Sequence, residues 1–81
     1  MQRKIAKVTW MDIAGHSSWR KEEEARGSEP IPITSVGFLI HKTRCKVVLA
    51  LNYDHGGQVA DTLTIPRHNI TGIEIIGKSK V

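Results

Sequence analysis

The sequence predicts a small, mostly β protein, a single five-stranded antiparallel sheet or barrel, and three observations carry that expectation. Short runs rich in Val, Ile, Leu and Thr recur as Val36-Gly37-Phe38-Leu39-Ile40, Lys46-Val47-Val48-Leu49-Ala50-Leu51, Thr62-Leu63-Thr64-Ile65 and Ile70 to Ile76. Such residues suit a pleated surface. Polar turn residues separate the runs, as expected of strands joined by tight connections. Finally, 81 residues make one domain with a thin stability margin, for which self-association would be unsurprising.

The first strand is expected from Ile5 to Trp10, where Ala6, Val8 and Trp10 alternate with Lys7 and Thr9. A polar excursion over residues 12 to 29 follows. Within it, Ser17 or Ser18 could cap a two-turn helix from Trp19 to Arg26, with its glutamates early, Arg26 late and Gly27 as the stop. Trp19 is then expected on the helix's inner face, folding the excursion back onto the sheet. Pro30-Ile31-Pro32-Ile33 is extended and leads into the second strand, because each proline disfavours a helical predecessor. Gly37 reads as a bulge or sharp coil, and Val36, Phe38 and Ile40 as sharing one face.

Lys42-Thr43-Arg44-Cys45 reads as the next turn. Strand three sets Val47, Leu49, Leu51 and Tyr53 against Val48, Ala50 and Asn52, so both of its faces are apolar and it is expected to be central. Asp54-His55-Gly56-Gly57 makes a hairpin loop. Strand four runs from Gln58 to Ile65, with Val59, Leu63 and Ile65 on one side and Asp61 sharing their parity near the loop. Pro66 cannot donate to a ladder, and Pro66-Arg67-His68-Asn69 has the length of one 3₁₀ turn. Strand five follows from Ile70, and residues 78 to 81 are expected to fray as a flexible tail.

Charge is divided unevenly. The chain carries 12 Lys and Arg against 8 Asp and Glu. Residues 12 to 29 hold five acids and three bases, leaving nine bases and three acids elsewhere, so the body is about +6. A basic body favours phosphate-bearing or other acidic partners. The single cysteine, Cys45, excludes an intramolecular disulfide, and no run reaches the roughly 18 apolar residues of a membrane-spanning helix. A cytoplasmic protein without an export signal is expected.

No enzyme is expected. Asp12, His16, Ser17 and Ser18 are close in sequence but lack a strained elbow or an oxyanion donor, and they read better as turn and cap residues. His16, His41, His55 and His68 are scattered, and His41 with Cys45 supplies only two metal ligands, so neither metal nor other cofactor is expected. Gly56-Gly57 lacks the Lys-Ser or Lys-Thr of a phosphate loop. The cations are the better candidates. Lys42, Arg44 and Lys46 alternate, which on an extended backbone would make a one-sided prong, and Arg67 and His68 sit on the expected 3₁₀ turn. Trp19 and Tyr53, near loops, are the candidate exposed rings for a protein contact, in a groove beside the excursion.

The order of elements resembles the SH3-like small β-barrel, whose first loop is long and whose last strands are joined by a 3₁₀ turn. Thr64-Ile65-Pro66-Arg67-His68-Asn69-Ile70-Thr71-Gly72-Ile73 also looks like the stretch that closes an Sm-like barrel and lines its RNA-binding pore. Unlike Sm-like proteins, this chain has a strand where they begin with a helix, carries the long excursion, and lacks their Asp/Asn pair near Gly37. More specifically, Lys7-Val8-Thr9-Trp10-Met11-Asp12, Ser35-Val36-Gly37-Phe38-Leu39-Ile40, Val47-Val48-Leu49-Ala50 and Leu63-Thr64-Ile65-Pro66-Arg67 are similar to short bacteriophage-encoded proteins of unassigned activity. That resemblance implies a small phage accessory protein, and with the residue reading the expectation is a homo-oligomer that binds a host protein in the host cytoplasm through Trp19 and Tyr53. The alternative is a phosphate-bearing ligand (RNA, DNA or a small nucleotide signal) held by Lys42, Arg44, Lys46, Arg67 and His68.

Overall fold

A computed structural model describes residues 2–13 and 18–80. The chain runs β1 (Gln2–Asp12), α1 (Glu22–Arg26), β2 (Ile31–Lys42), β3 (Lys46–Tyr53), β4 (Val59–Pro66), a 3₁₀ turn (Arg67–Asn69) and β5 (Ile70–Lys80). All ladders are antiparallel, in one five-stranded sheet of order β4-β3-β2-β1-β5. No ladder joins β4 to β5 among the described residues, so the sheet is open at that seam.

The sheet is nevertheless strongly curled. Edge strands of a flat five-stranded sheet would lie about 19 Å apart, at about 4.8 Å per strand spacing. Here three residues of 3₁₀ turn, rising only about 2 Å each, carry the chain from one edge to the other. The packing agrees, since Ala6 and Val8 of β1 cluster with Val47 and Leu49 of β3 and Ile65 of β4 although β2 separates them in the sheet. Trp10, Leu39, Ile70 and Ile73 pack around that cluster. Trp10 Nε1 donates to Ser35 Oγ at 3.0 Å, which satisfies the indole as it is covered.

Gly37 permits the curl by close approach. A Cβ there would lie 2.7 Å from the Ala50 carbonyl oxygen, so β3 crosses closer to β2 than any side chain allows. The register shift of β2 against β3 falls later, between Leu39 and His41. The core face of β2 is the parity of Gly37 and Leu39, not the one that Val36 and Phe38 share. Gly37 lies across from Ala6 and is buried, Leu39 packs on the core, and Val36 is exposed. Both parities of this strand are apolar, so alternation fixes its period without choosing the buried side. Phe38 instead meets Tyr53 edge-on, with centroids 5.8 Å apart.

The long connection differs from expectation. Among its described residues only Glu22–Arg26 is helical, entered from Lys21 with no side-chain cap, and none of these five is buried. Ser18 is at a bend, Ser17 lies outside the described residues, and Trp19 precedes the helix and is fully exposed. A five-residue helix has room for little more than one turn. It is held locally: Arg26 Nη2 meets Glu22 Oε1 at 2.6 Å, and Arg20 donates to the Glu24 carbonyl at 2.8 Å and to Ser28 Oγ at 3.1 Å. The tail expected to fray is strand, with Lys78, Ser79 and Lys80 across from Lys4, Arg3 and Gln2. Those partners lie upstream of the expected first strand, in residues whose polarity hid their pairing.

The β3–β4 hairpin forms as expected. Asp54 Oδ1 accepts from the N–H groups of Gly56 (2.9 Å) and Gln58 (2.8 Å), and Gly57 takes a φ of 89°. The resulting molecule is elongated, 53 × 22 × 20 Å, with a radius of gyration of 16.1 Å. A compact chain of this length would have about 12 Å.

Candidate anion-binding site

The candidate cations fall where the β2–β3 turn meets the 3₁₀ turn. The Thr43 N–H donates to the Lys46 carbonyl at 2.9 Å, and Thr43 Oγ1 accepts from the N–H groups of Cys45 (3.1 Å) and Lys46 (3.2 Å). This closed turn is why the extended prong is not formed. Lys42 lies across from Val47, on the core face, and Lys46 across from Pro66, on the opposite face. Arg44 is at the exposed tip between them.

A second hydrogen bond joins the two turns: the Arg67 N–H donates to the Cys45 carbonyl at 2.9 Å. The 3₁₀ turn is tied on its far side to β1, where Asn69 Nδ2 donates to the Met11 carbonyl at 3.0 Å and Thr71 Oγ1 to the Thr9 carbonyl at 3.2 Å. These anchors bring Lys42 and Arg67 to one open cavity of about 330 Å³, walled by Ile70, Thr71, Gly72 and Ile73. His68 is exposed on the same turn, and neither it nor Arg44 nor Lys46 lines the cavity.

The electrostatics of this corner are one-sided. Among the described residues the ion pairs are Lys7–Glu74 (3.9 Å) and Arg26–Glu22 (2.6 Å), so Lys42, Arg44, Lys46 and Arg67 have no carboxylate partner there. Arg67 Nη1 is buried and makes no hydrogen bond among the described residues. Leaving a buried donor unsatisfied costs about 1–3 kcal/mol, and more for a charged group. An anion in the cavity would meet the positive charges of Arg67 and Lys42, which no described carboxylate neutralises.

The two aromatic candidates do not converge. Trp19 belongs to the excursion beyond Asp12, at one end of β1. Tyr53 is half-buried at the other end, where Arg3 Nε donates to its hydroxyl at 3.2 Å and the guanidinium carbon lies 5.3 Å from its ring centroid. Arg3 and Asp12 are nine residues apart, about 30 Å of strand, so the excursion that carries Trp19 leaves β1 at the end away from Arg3 and Tyr53. Sequence reasoning missed Arg3 because β1 was expected to start later. It also missed the cavity wall from Ile70 to Ile73, whose only signal is its position just after the turn carrying Arg67.

Asp12 Oδ1 accepts from the N–H of Ile13 at 2.8 Å, and Ser18 is exposed, while His16 and Ser17 lie outside the described residues. Among the described residues no three His, Cys, Asp or Glu come together as a metal site, and no helix is long and apolar enough to cross a membrane. Compared with protein-family models, curated proteins and solved structures, the chain matches none of them.

Proposed function

We propose that this chain is a non-enzymatic binding protein that holds a phosphate-bearing ligand, a nucleotide or a nucleic-acid phosphate, at the Lys42–Arg67 cavity. The observation that carries this reading is an open cavity lined by both Arg67 and Lys42, two cations with no carboxylate partner among the described residues. A planar guanidinium orients phosphate oxygens through paired N–H donors, and a lysine adds charge without demanding geometry. Arg44 and Lys46, exposed nearby on the other side of the turn, would add long-range attraction rather than direct contact. A protein-partner reading through Trp19 and Tyr53 has less support, because Tyr53 is already engaged by Arg3 and Phe38.

In the same reading the curled sheet is an SH3-like barrel left open at the β4–β5 seam. The protein acts as a homo-oligomeric phage accessory factor in the host cytoplasm, retaining its ligand without turning it over. The test is titration calorimetry with mononucleotides, inorganic phosphate and a short single-stranded oligonucleotide. Binding that weakens steeply with salt and is lost in Arg67→Glu and Lys42→Glu, but not in Arg20→Glu on the excursion, is the expected result. Binding unaffected by both cavity substitutions would remove the site, and no binding by any probe would remove the reading.

A further inference from the structure

The chain exposes 6210 Å². A compact monomer of 9.0 kDa would expose about 4,900 Å². The difference, about 1,300 Å², exceeds the roughly 800 Å² that each partner contributes to a standard protein interface. Part of the excess is concentrated on two surfaces that lie at opposite ends of β1.

One surface is the excursion. Trp19 is fully exposed, Ile13 is 83% and Ile31 48% exposed, and Glu23, Glu24 and Glu29 have no ion pair among the described residues. The other is the near end of the β1–β5 ladder. Lys4 and Lys78 are directly opposed there, a like-charge pair that destabilises a sheet unless an anion lies against it. Lys80 follows on the same face by alternation. The register shift at Ile5/Ala6 makes Ile76 the extra residue of a bulge beside Ile75, which lies across from Ala6. Two neighbouring bulge residues turn to one side, so Ile75 and Ile76, 45% and 47% exposed, share the face of Lys4, Lys78 and Lys80. An apolar strip bordered by three unpaired lysines is the complement of an arm that carries a free tryptophan beside unpaired glutamates.

We propose that two copies of this chain dimerise by arm exchange: the excursion of each protomer lies on the Ile75–Ile76 strip of the other, with Trp19 against the isoleucines and Glu23 and Glu24 facing Lys4, Lys78 and Lys80, beside Glu22, which Arg26 already holds at 2.6 Å. Within one protomer this contact is not made: Trp19 is fully exposed, and Ile75 and Ile76 are 45% and 47% exposed. An antiparallel two-fold arrangement uses both arms and both strips, and closes without further growth. The inference is independent of the phosphate reading, because it uses none of the cavity residues.

Sedimentation velocity of the full chain over a concentration series tests it. The expected species is a dimer of about 18 kDa, twice the 9.0 kDa chain, that loosens as salt rises. Trp19→Ala is expected to raise the dimer dissociation constant roughly thirtyfold, as loss of a buried tryptophan anchor does. The arm reversal E22K/E23K/E24K and the strip reversal K4E/K78E/K80E should each be monomeric alone and form a one-to-one heterodimer when mixed. All substituted side chains are exposed, and far-UV circular dichroism checks that both variants keep the wild-type sheet. A wild-type monomer across the series overturns the proposal, and so does a dimer that ignores salt, a dimer that survives both reversals, or a mixture that stays monomeric. Because the salt series on the wild-type chain needs no variant, a misfolded variant does not protect the proposal.

Discussion

Gly37→Ala isolates the close approach that curls the sheet. The added Cβ would lie 2.7 Å from the Ala50 carbonyl oxygen, 3.3 Å from its carbonyl carbon and 3.4 Å from Leu49 Cβ. The first is well inside van der Waals contact and involves backbone, which has no rotamer to escape into. Relief requires β2 and β3 to separate by several tenths of an ångström where Leu39 and Leu49 pack on the core. Overpacking of this kind costs about 1–3 kcal/mol. At about 2.1 cal/mol/K per residue, 81 residues give an unfolding entropy near 0.17 kcal/mol/K, so a cost of about 2 kcal/mol lowers Tm by about 12 °C. The assay is thermal unfolding by circular dichroism beside Gly72→Ala, whose added Cβ has no atom within 4 Å. The control should stay within about 3 °C of the parent. A Gly37→Ala protein as stable as the control would refute the claim that strand approach, rather than a dispensable bulge, is what the glycine permits.

Ile65→Ala removes the largest fully buried side chain of the core and should destabilise by about 2–4 kcal/mol in urea unfolding, a large share of what a chain of this size possesses. Asp61 holds a φ of 58° in edge strand β4 and accepts from Asn52 Nδ2 at 2.8 Å. Asp61→Gly should therefore be nearly neutral in the same assay, whereas Asp61→Val, a β-branched residue forced into the left-handed region, should lose about 1–3 kcal/mol.

Much of the local structure was legible because strands advertise themselves by period. Ala6 and Val8 came out buried, the Asp54–Gly57 hairpin and the 3₁₀ turn formed at their expected places, and Val47 and Leu49 entered the core. The failures share a cause. Where both parities of a strand are apolar, as from Val36 to Ile40, the buried side is decided by which strand crosses above it, and here that decision is made by Gly37 and Ala50. Where a strand end is polar, as in Gln2 to Lys4 and Lys78 to Lys80, pairing rests on backbone hydrogen bonds that no side-chain pattern records. Trp19 read as an inward anchor because tryptophan usually is one; α1 proved too short to offer it a buried face.

The two cations of the candidate cavity were legible in the sequence, but its wall and its geometry were not, and the reason is the curl itself. Arg67 and Lys42 are 25 positions apart, on an edge connection and on an interior strand. They share a cavity because the chain crosses from β4 to β5 in three residues and draws both edges toward the β2–β3 turn. The same crossing sets Ile65, just before it, and Ile70, just after it, against one core. Core and cavity are thus two sides of one short connection. A substitution that opens it, such as replacing Asn69 so that its bond to the Met11 carbonyl is lost, should weaken phosphate binding and stability together. Arg67→Glu, by contrast, acts on a half-buried cation that has no carboxylate partner among the described residues, and should cost binding far more than it costs the fold. That separation, measured on the two variants side by side, distinguishes a site built into the connection from a cation that merely stands beside it.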